Sequence, residues 1–513
     1  MLLRIIKLAI GLVLSFIIII QMQLVASSGN FLTLLGLSNV EAMEGLGISI
    51  WQILPFIIAT LWLCIDFFCG KKNKALRGMW GLLVIIFLLA GGVKIYNKFN
   101  SEKIESPVYS FFSLILHLKQ AMQSYDAIQY DFLENKDTYL SEFRQNNFYT
   151  SRSRNIGNEK PNVIVIFVEG MSSRFIDNYG SKYKDLTPSM DEFYNNSLVF
   201  GDYYNHTAAT FRGLRGQLVS GYQFNDGYDS RGRGIAQISS ESVVRQTGNA
   251  YIVTLPDILK KHGYDTSFIA ANPKGSQMEA FLGALRFDEI FMSGDFVADN
   301  HVLSDKEFFD ALWNHVNNKQ SSGKPFFIST YNFGTHAAMD SPHEKYRDAD
   351  NIALNRFHNF DVFFGEFLKK VNSSPMKDNT IIILTSDHAS YSGPEIMDAD
   401  HDASPYFVDR VPLMINGANI NHAVMDANGR NSLSLAPTLL DVMGINDGEN
   451  YFIGCSLFVD KCPRIDNVSV VGESFFMTDK EGVYSENNIP DAYRNRFEEG
   501  KKQIRDNYRI TSS

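Results

Sequence analysis

Two stretches of this chain run without interruption from apolar residues into side chains that bind metals. Asn162–Val168 leads into Glu169, and Ile381–Ser386 leads into Asp387 and His388. Neither run alternates apolar with polar residues, so neither strand has a face to show to water. Such strands belong in the middle of a parallel sheet covered by helices on both sides. Open sheets of that kind build their sites at the carboxyl ends of the strands. Both runs therefore deliver their carboxylates and imidazole to one edge, where a divalent cation would draw on both.

The rest of the C-terminal part supports such a sheet. From Pro161 onward, strand-like and helix-like stretches alternate. A helix is expected to start at Thr187-Pro188-Ser189-Met190, followed by a strand at Leu198–Phe200. A helix at Leu255–His262 leads to a strand at Thr266–Ala270, and a helix at Asp305–Val316 leads to a strand at Pro325–Ser329. A long helix at Ala349–Val371 precedes the Asp387 strand. A strand at Val411–Ile415 and a helix at Leu435–Met443, stopped by Gly444, complete the pattern. The expected class is α/β, a sandwich with a mostly parallel sheet. Residues 446–513 carry no comparable pattern and are left open, either finishing the sheet or building specificity.

Three apolar segments lie near the N-terminus, Leu8–Ala26, Ile48–Cys69 and Met79–Tyr96. Each approaches the roughly 20 residues that cross about 30 Å of hydrocarbon as a helix. Between Lys7 and Lys71 there is no Lys or Arg. Arg4 and Lys7 precede the first segment, and Lys71, Lys72, Lys74 and Arg77 fill the second loop, whereas the first loop carries Glu41 and Glu44. Positive charge marks the cytoplasmic side, so the expected layout is a multi-pass membrane protein with a cytoplasmic N-terminus and everything after the third span outside the cytoplasm. Cleavage near Val25-Ala26-Ser27 as a signal peptide is an alternative that leaves that part on the same side. The expected domains are 1–97 for the membrane part, 98–160 for a connector and 161–513 for an extracytoplasmic catalytic domain. In the connector, Pro107–Tyr125 has the pattern of an amphipathic helix, lying on the bilayer interface or packing under the catalytic domain. Asn155–Lys160 is read as a polar linker.

A net charge of -10 argues against a nucleic-acid partner. Of the four cysteines, Cys64 and Cys69 fall in the second apolar segment, while Cys455 and Cys462 fall in the exported part. An oxidising compartment permits the latter two to form a local disulfide. The sequence carries no indication of oligomeric state.

Between the two ligand-bearing strands, Asn205–Leu218 reads as a loop feeding a helix that starts near Thr210. A hydroxyl there faces unpaired N–H groups and the positive end of the helix dipole, a place that favours anions. Threonine is a weak nucleophile until a metal or base activates it. Taken alone, Thr210 is more often an N-cap. Taken together, Glu169, Thr210, Asp387 and His388 form an oxygen-rich set with one nitrogen, suited to Mn²⁺ or Zn²⁺, with Mg²⁺ also possible. Arg212 and Arg215 have the chemistry to clamp phosphate but on a helix surface are more often solvated. His206, His343 and Lys274 are rim candidates.

With these pieces in hand, the chain resembles the alkaline phosphatase/sulfatase superfamily, and within it the membrane-anchored lipoteichoic acid synthase and phosphoethanolamine transferase group. The resemblance rests on Asn162–Glu169, Leu186–Met190, Thr210–Leu214, Phe333-Gly334-Thr335-His336, Thr385–His388, Arg410–Leu413 and Leu435–Leu440, which together span most of residues 160–445. It implies that Thr210 is the nucleophile taking a phospho-head-group from a membrane phospholipid, with Glu169, Asp387 and His388 as metal ligands beside it. It also implies that His336 contacts the phosphate or assists the leaving group, and that His401 makes a further metal or phosphate contact; Arg212 and Arg410 are further candidate substrate contacts. The group usually has more membrane spans than the three read here.

Two departures narrow the expectation. The sulfatase signature places Pro two positions after a Cys or Ser nucleophile, whereas Thr210 is followed by Phe211-Arg212. No cysteine lies near Thr210, and Arg410 stands where the phosphoethanolamine transferases carry a histidine. The reading favoured is transfer of phosphoglycerol from phosphatidylglycerol to a surface glycan or lipid through a phospho-threonine. Phosphoethanolamine transfer to lipid A, core oligosaccharide or another glycan is the alternative, and a non-catalytic lipid-binding sensor is a further one. Hydrolysis, with water as the acceptor, also remains open.

Overall fold

The computed structural model describes residues 2–28, 31–38, 50–69, 92–93, 106–151, 160–223, 238–248, 251–337, 339–348, 350–404 and 406–511. The chain divides into two compact units, Met1–Ser124 with Ser230–Gly234, and Tyr125–Asp229 with Ile235–Ser513.

In the first unit, helix Leu2–Ser28 packs on helix Ile50–Cys69, with Phe16 and Phe56 rings 5.6 Å apart. Within the first helix, Leu8–Val25 is long and apolar enough to cross a membrane, the one such helix among the described residues. The second helix carries Pro55 inside it, and its apolar part, Leu54–Ile65, is shorter. The third expected span lies outside the described residues apart from Gly92 and Val93, as do the charges of both loops. The helix expected at Pro107–Tyr125 is formed as the start of a longer one, Pro107–Phe143, and leaves Phe112, Ile115 and Leu116 exposed. The linker Asn155–Lys160 is outside the described residues except for Lys160.

The second unit holds all thirteen strands found among the described residues: β1 (Gln145–Asn147), β2 (Asn162–Val168), β3 (Leu198–Gly201), β4 (Asp265–Ala270), β5 (Glu289–Phe291), β6 (Phe326–Tyr331), β7 (Thr380–Ser386), β8 (Leu413–Asn416), β9 (Ala423–Asp426), β10 (Asp447–Asn450), β11 (Val468–Val471), β12 (Ser474–Asp479) and β13 (Gly482–Ser485). Eight of them form the central sheet in the order β5-β4-β6-β2-β7-β8-β3-β9. All pairings are parallel except the two made by β8, with β7 and with β3.

The burial of β2 and β7 is complete along their length, as their composition requires. Val163, Val165 and Phe167 point to one face, under helices Thr210–Val219, Leu255–Lys261, Gln277–Ala284 and Leu435–Val442. Ile164, Ile166 and Val168 point to the other, under Pro188–Asn195, Asp305–Gln320 and Ile352–Asn372. Alternate side chains thus feed two separate cores, each buried on its own side of the sheet.

The C-terminal residues do not extend the central sheet. β10 pairs with β1, and β11-β12-β13 form a separate antiparallel sheet. Helix Arg494–Thr511 follows, and Phe497, Ile504 and Tyr508 share a core with Phe132 and Phe143 from the end of the Pro107–Phe143 helix. Cys455 and Cys462 are joined as a disulfide, with Cα atoms 5.7 Å apart.

Candidate metal centre and nucleophile

In-register pairing of β2 with β7 sets Val168 beside Ser386. The next residues, Glu169 on one strand and Asp387-His388 on the other, therefore leave the sheet at the same level, and all three are buried. The main chain of Glu169 is held on both sides. Its N–H donates to Asn332 Oδ1 at 2.9 Å, and its carbonyl accepts from Thr335 Oγ1 at 2.7 Å. Asp387 Oδ1 accepts from the Gly170 and His388 N–H groups, both at 2.8 Å.

Thr210 arrives from a different direction, as the first residue of helix Thr210–Val219. The N-cap position belongs to Ala209, so Thr210 is not the cap. Its Oγ1 instead donates to Glu169 Oε2 at 2.9 Å. Ala209 has φ 69° and ψ 153°, a region that is nearly exclusive to glycine and costs roughly 1–3 kcal/mol for other residues. The helix can approach the strand edge because residue 213 is glycine: a Cβ there would sit 2.1 Å from the Asp387 carbonyl oxygen. Gln217 Nε2 fastens the contact by donating to the Ser386 and Asp387 carbonyls at 3.0 and 3.1 Å.

His388 Nδ1 lies 2.7 Å from the Ala389 carbonyl, which can only accept, so this nitrogen carries a hydrogen. Nε2 is left facing the carboxylates, 3.3 Å from Glu169 Oε1 and 3.4 Å from Asp387 Oδ2. Burial pushes the Glu169 carboxyl up, but the His388 charge outweighs it and holds the group below the usual carboxylate range. Asp387 is raised well above that range by burial and by the Glu169 charge. His388 is pushed up to about 9: burial opposes its charge, and Asp387 and Glu169 more than compensate. Two adjacent buried carboxylates thus call for a positive charge between them.

A divalent ion meets that demand better than a lone imidazolium. The ligand atoms of Glu169, Asp387 and His388 all lie within 4.8 Å of one another. Asp387 Oδ2 is buried with no hydrogen-bond partner, as expected of a lone pair reserved for a cation. With Thr210 Oγ1 the donor set is three oxygens and one nitrogen, which fits Mn²⁺ or Zn²⁺.

The other expected site residues are placed as follows. His336 is half-buried, stacks on Phe333 at 4.6 Å with rings 9° apart, and has Nδ1 against the Ala337 carbonyl. It is close enough for its charge to help depress Glu169. Arg212 and Arg215 are buried rather than solvated; Arg212 Nε donates to the Ala208 carbonyl and Arg215 Nε to that of Thr247. Arg410 Nε is bonded to Asp202 and its Nη2 to the Lys480 carbonyl. His401 is exposed in a turn and makes no hydrogen bond or ion pair with Glu169, Thr210, Asp387 or His388 among the described residues.

His206 is not a rim group. It is buried, with Nδ1 2.6 Å from Ser432 Oγ, and burial drives its pKa down to about 3. His343 packs edge-on against Phe363, and Lys274 is paired with Asp295.

Two further residues border the cluster. Tyr331, the last residue of β6, is buried, donates to Glu169 Oε2 and has its hydroxyl 3.4 Å from Thr210 Oγ1. Its signal was the position itself, since β6 lies parallel to β2 and ends at the same edge. Phe407, at φ 59°, sets its ring edge-on to His388 at 5.2 Å. That contact depends on a loop conformation no local pattern announces.

Comparison with known proteins places this geometry. The sulfatase family matches residues 161–445, more than half of the chain. Phosphoglycerol transferase I of Escherichia coli strain SMS-3-5 is 26% identical over 323 residues, and the same protein from Escherichia coli O139:H28 is 25% identical over the same length. The matched part is 59% of this chain but only 40% of those relatives. Among solved structures, the lipoteichoic acid synthase LtaP from Listeria monocytogenes superposes with a TM-score of 0.57 at 16% identity, covering 71% of this chain and 96% of that one. An alkaline phosphatase superfamily protein from Vibrio parahaemolyticus gives 0.53 at 19% identity, covering 71% and 88%. Those two likenesses establish the shared fold. The chain belongs to the sulfatase family.

Proposed function

We propose that this protein is a membrane-anchored, metal-dependent phosphotransferase that moves a phosphoglycerol head group from phosphatidylglycerol to a hydroxyl of a surface glycan or lipid. The observation that carries the reading is the meeting of a half-buried Thr210 hydroxyl with the Glu169, Asp387 and His388 cluster. The phosphoglycerol transferase relatives support the choice of head group. A divalent cation held by Glu169, Thr210, Asp387 and His388 would polarise a phosphoryl oxygen and ease loss of the Thr210 proton.

In this scheme Thr210 Oγ1 attacks phosphorus in line. The new bond is Oγ–P, the bond broken joins phosphorus to the diacylglycerol oxygen, and that oxygen leaves with a proton as diacylglycerol. Thr210 then carries glycerophosphate. In the second half an acceptor hydroxyl displaces Thr210 Oγ1, which regains a proton. His336, with Nδ1 bonded to the Ala337 carbonyl, presents Nε2 as the group that takes the acceptor's proton. Arg212 Nε holds the Ala208 carbonyl and Arg410 Nε holds Asp202, so neither is assigned a step. His401 enters only if an acceptor reaches its turn. Domain 161–513 would carry the chemistry on the outer face of the inner membrane, with the N-terminal helices as anchor.

The test is to supply the purified full chain with Mn²⁺ and radiolabelled phosphatidylglycerol or phosphatidylethanolamine, and to follow diacylglycerol release and label transfer. Release from phosphatidylglycerol alone is the expected result. Release from phosphatidylethanolamine alone would replace the donor, and release from neither would overturn the reading.

A further inference from the structure

Strand β6 contributes no metal-ligand candidate, yet its last residue, Tyr331, ends against one. Register pairs Tyr331 with Phe167, and Glu169 follows Phe167 by two residues on the same face. The Tyr331 hydroxyl donates to Glu169 Oε2, the oxygen that also accepts from Thr210 Oγ1 at 2.9 Å. The other oxygen, Oε1, faces His388 Nε2 at 3.3 Å. Glu169 is thus held with one oxygen toward the cluster and the other between two hydroxyls.

The partner of this phenol sets it apart from Tyr179 and Tyr222, whose hydroxyls are also bonded within the fold. Tyr179 donates to the Phe200 and Leu413 carbonyls, and Tyr222 to the Val468 carbonyl. Those hydroxyls donate to main-chain carbonyls, whereas Tyr331 donates to a ligand carboxylate and stands 3.4 Å from the nucleophile. The Tyr331 ring lies in the same buried cluster as Phe167 and Phe327, so packing accounts for the ring and not for the hydroxyl. The terminal torsion of a glutamate is broad and nearly two-fold; two donors on one oxygen fix it. Asn332 and Thr335, just beyond Tyr331, hold the Glu169 main chain.

We propose that the Tyr331 hydroxyl is a positioning group that fixes the Glu169 carboxylate between the metal cluster and Thr210, so that both cation affinity and the transfer rate depend on it. This rests on the reading of Thr210 as nucleophile and Glu169 as ligand.

The test uses Tyr331→Phe in the full chain, with Tyr179→Phe, whose hydroxyl donates to main-chain carbonyls, as the control. Calorimetry with Mn²⁺ alone should give a Kd about tenfold weaker for Tyr331→Phe and within about twofold of the parent for Tyr179→Phe. With phosphatidylglycerol, kcat should fall about tenfold while KM stays within about twofold, the split expected when an interaction serves the reacting geometry and not ground-state binding. Unchanged Mn²⁺ affinity and kcat in Tyr331→Phe would overturn the proposal. If the parent binds Mn²⁺ but releases no diacylglycerol, the transferase reading falls, and the Mn²⁺ comparison still decides Tyr331: a weaker Kd upholds it and an unchanged one ends it.

Discussion

Thr210 Oγ1 donates to Glu169 Oε2 at 2.9 Å, joining the first residue of a helix to the end of a strand 41 positions earlier. Nothing local requires that bond, because Thr210 does not cap its own helix. The helix is instead drawn onto the strand edges by Gly213 and Gln217, and the hydroxyl is delivered to the carboxylates by that docking.

Replacing Gly213 should break the delivery. In Gly213→Ala the new Cβ would lie 2.1 Å from the Asp387 carbonyl oxygen, so helix or strand edge must move. We expect a loss of about 1–3 kcal/mol in stability and a larger loss of Mn²⁺ affinity than a surface Gly→Ala such as Gly283→Ala, where a Cβ meets nothing within 4 Å. Thermal melts with calorimetry check both.

Strain beside Thr210 makes the opposite prediction. Ala209→Gly relieves a φ of 69° with ψ of 153°, worth roughly 1–3 kcal/mol, against about 0.5–1 kcal/mol of added chain entropy in the unfolded state. The variant should melt higher than the parent. A lower melting temperature would show that the conformation is not strained.

Cation binding should compete with protons. Because His388 is pushed up to about 9 and Asp387 is raised well above the carboxylate range without a cation, Mn²⁺ must displace protons held by this pair at neutral pH. Affinity should rise with pH and level off near 9, with up to about a tenfold gain per pH unit for each proton displaced. Titrations in buffers of different ionisation heat would count the protons released. A pH-independent Kd with no proton release is the contrary result.

His206 sets an acid limit on the fold. Its pKa falls from 6.5 to about 3 because burial disfavours the imidazolium. The unfolded chain takes up the proton first, so the stability contribution is full above pH 6.5 and is lost as pH falls toward 3. The full loss is on the order of 4 kcal/mol. His206→Gln should flatten the dependence of melting temperature on pH between 6.5 and 4, and equal slopes in both proteins would contradict this.

Much of this architecture is legible in the sequence because the central strands are buried on both faces. The runs at Asn162–Val168 and Ile381–Ser386 admit no other place in a sheet, and their ends fix Glu169, Asp387 and His388 at one edge. The short flanking strands β5 and β9 escaped notice because partial exposure gives them no such run. The segment beyond residue 446 is built from hairpins and long-range contacts, such as the Ser469 hydroxyl on the Asn205 carbonyl at 2.7 Å, which local periodicity does not encode. Tyr331 was missed for a related reason: among phenylalanines it reads as core, and only the pairing of β6 with β2 reveals its partner. Arg212 and Arg215 were misjudged as surface residues because both faces of their helix are buried.

The most direct test of Thr210 as the nucleophile is a quenched single-turnover reaction of the full chain with Mn²⁺ and phosphatidylglycerol, followed by peptide mass analysis. The expected result is one glycerophosphate on Thr210, accumulating when no acceptor is present and missing from Thr210→Ala, which should also release no diacylglycerol. Diacylglycerol release at the parent's rate by Thr210→Ala, with no adduct in either protein, would contradict the proposed chemistry.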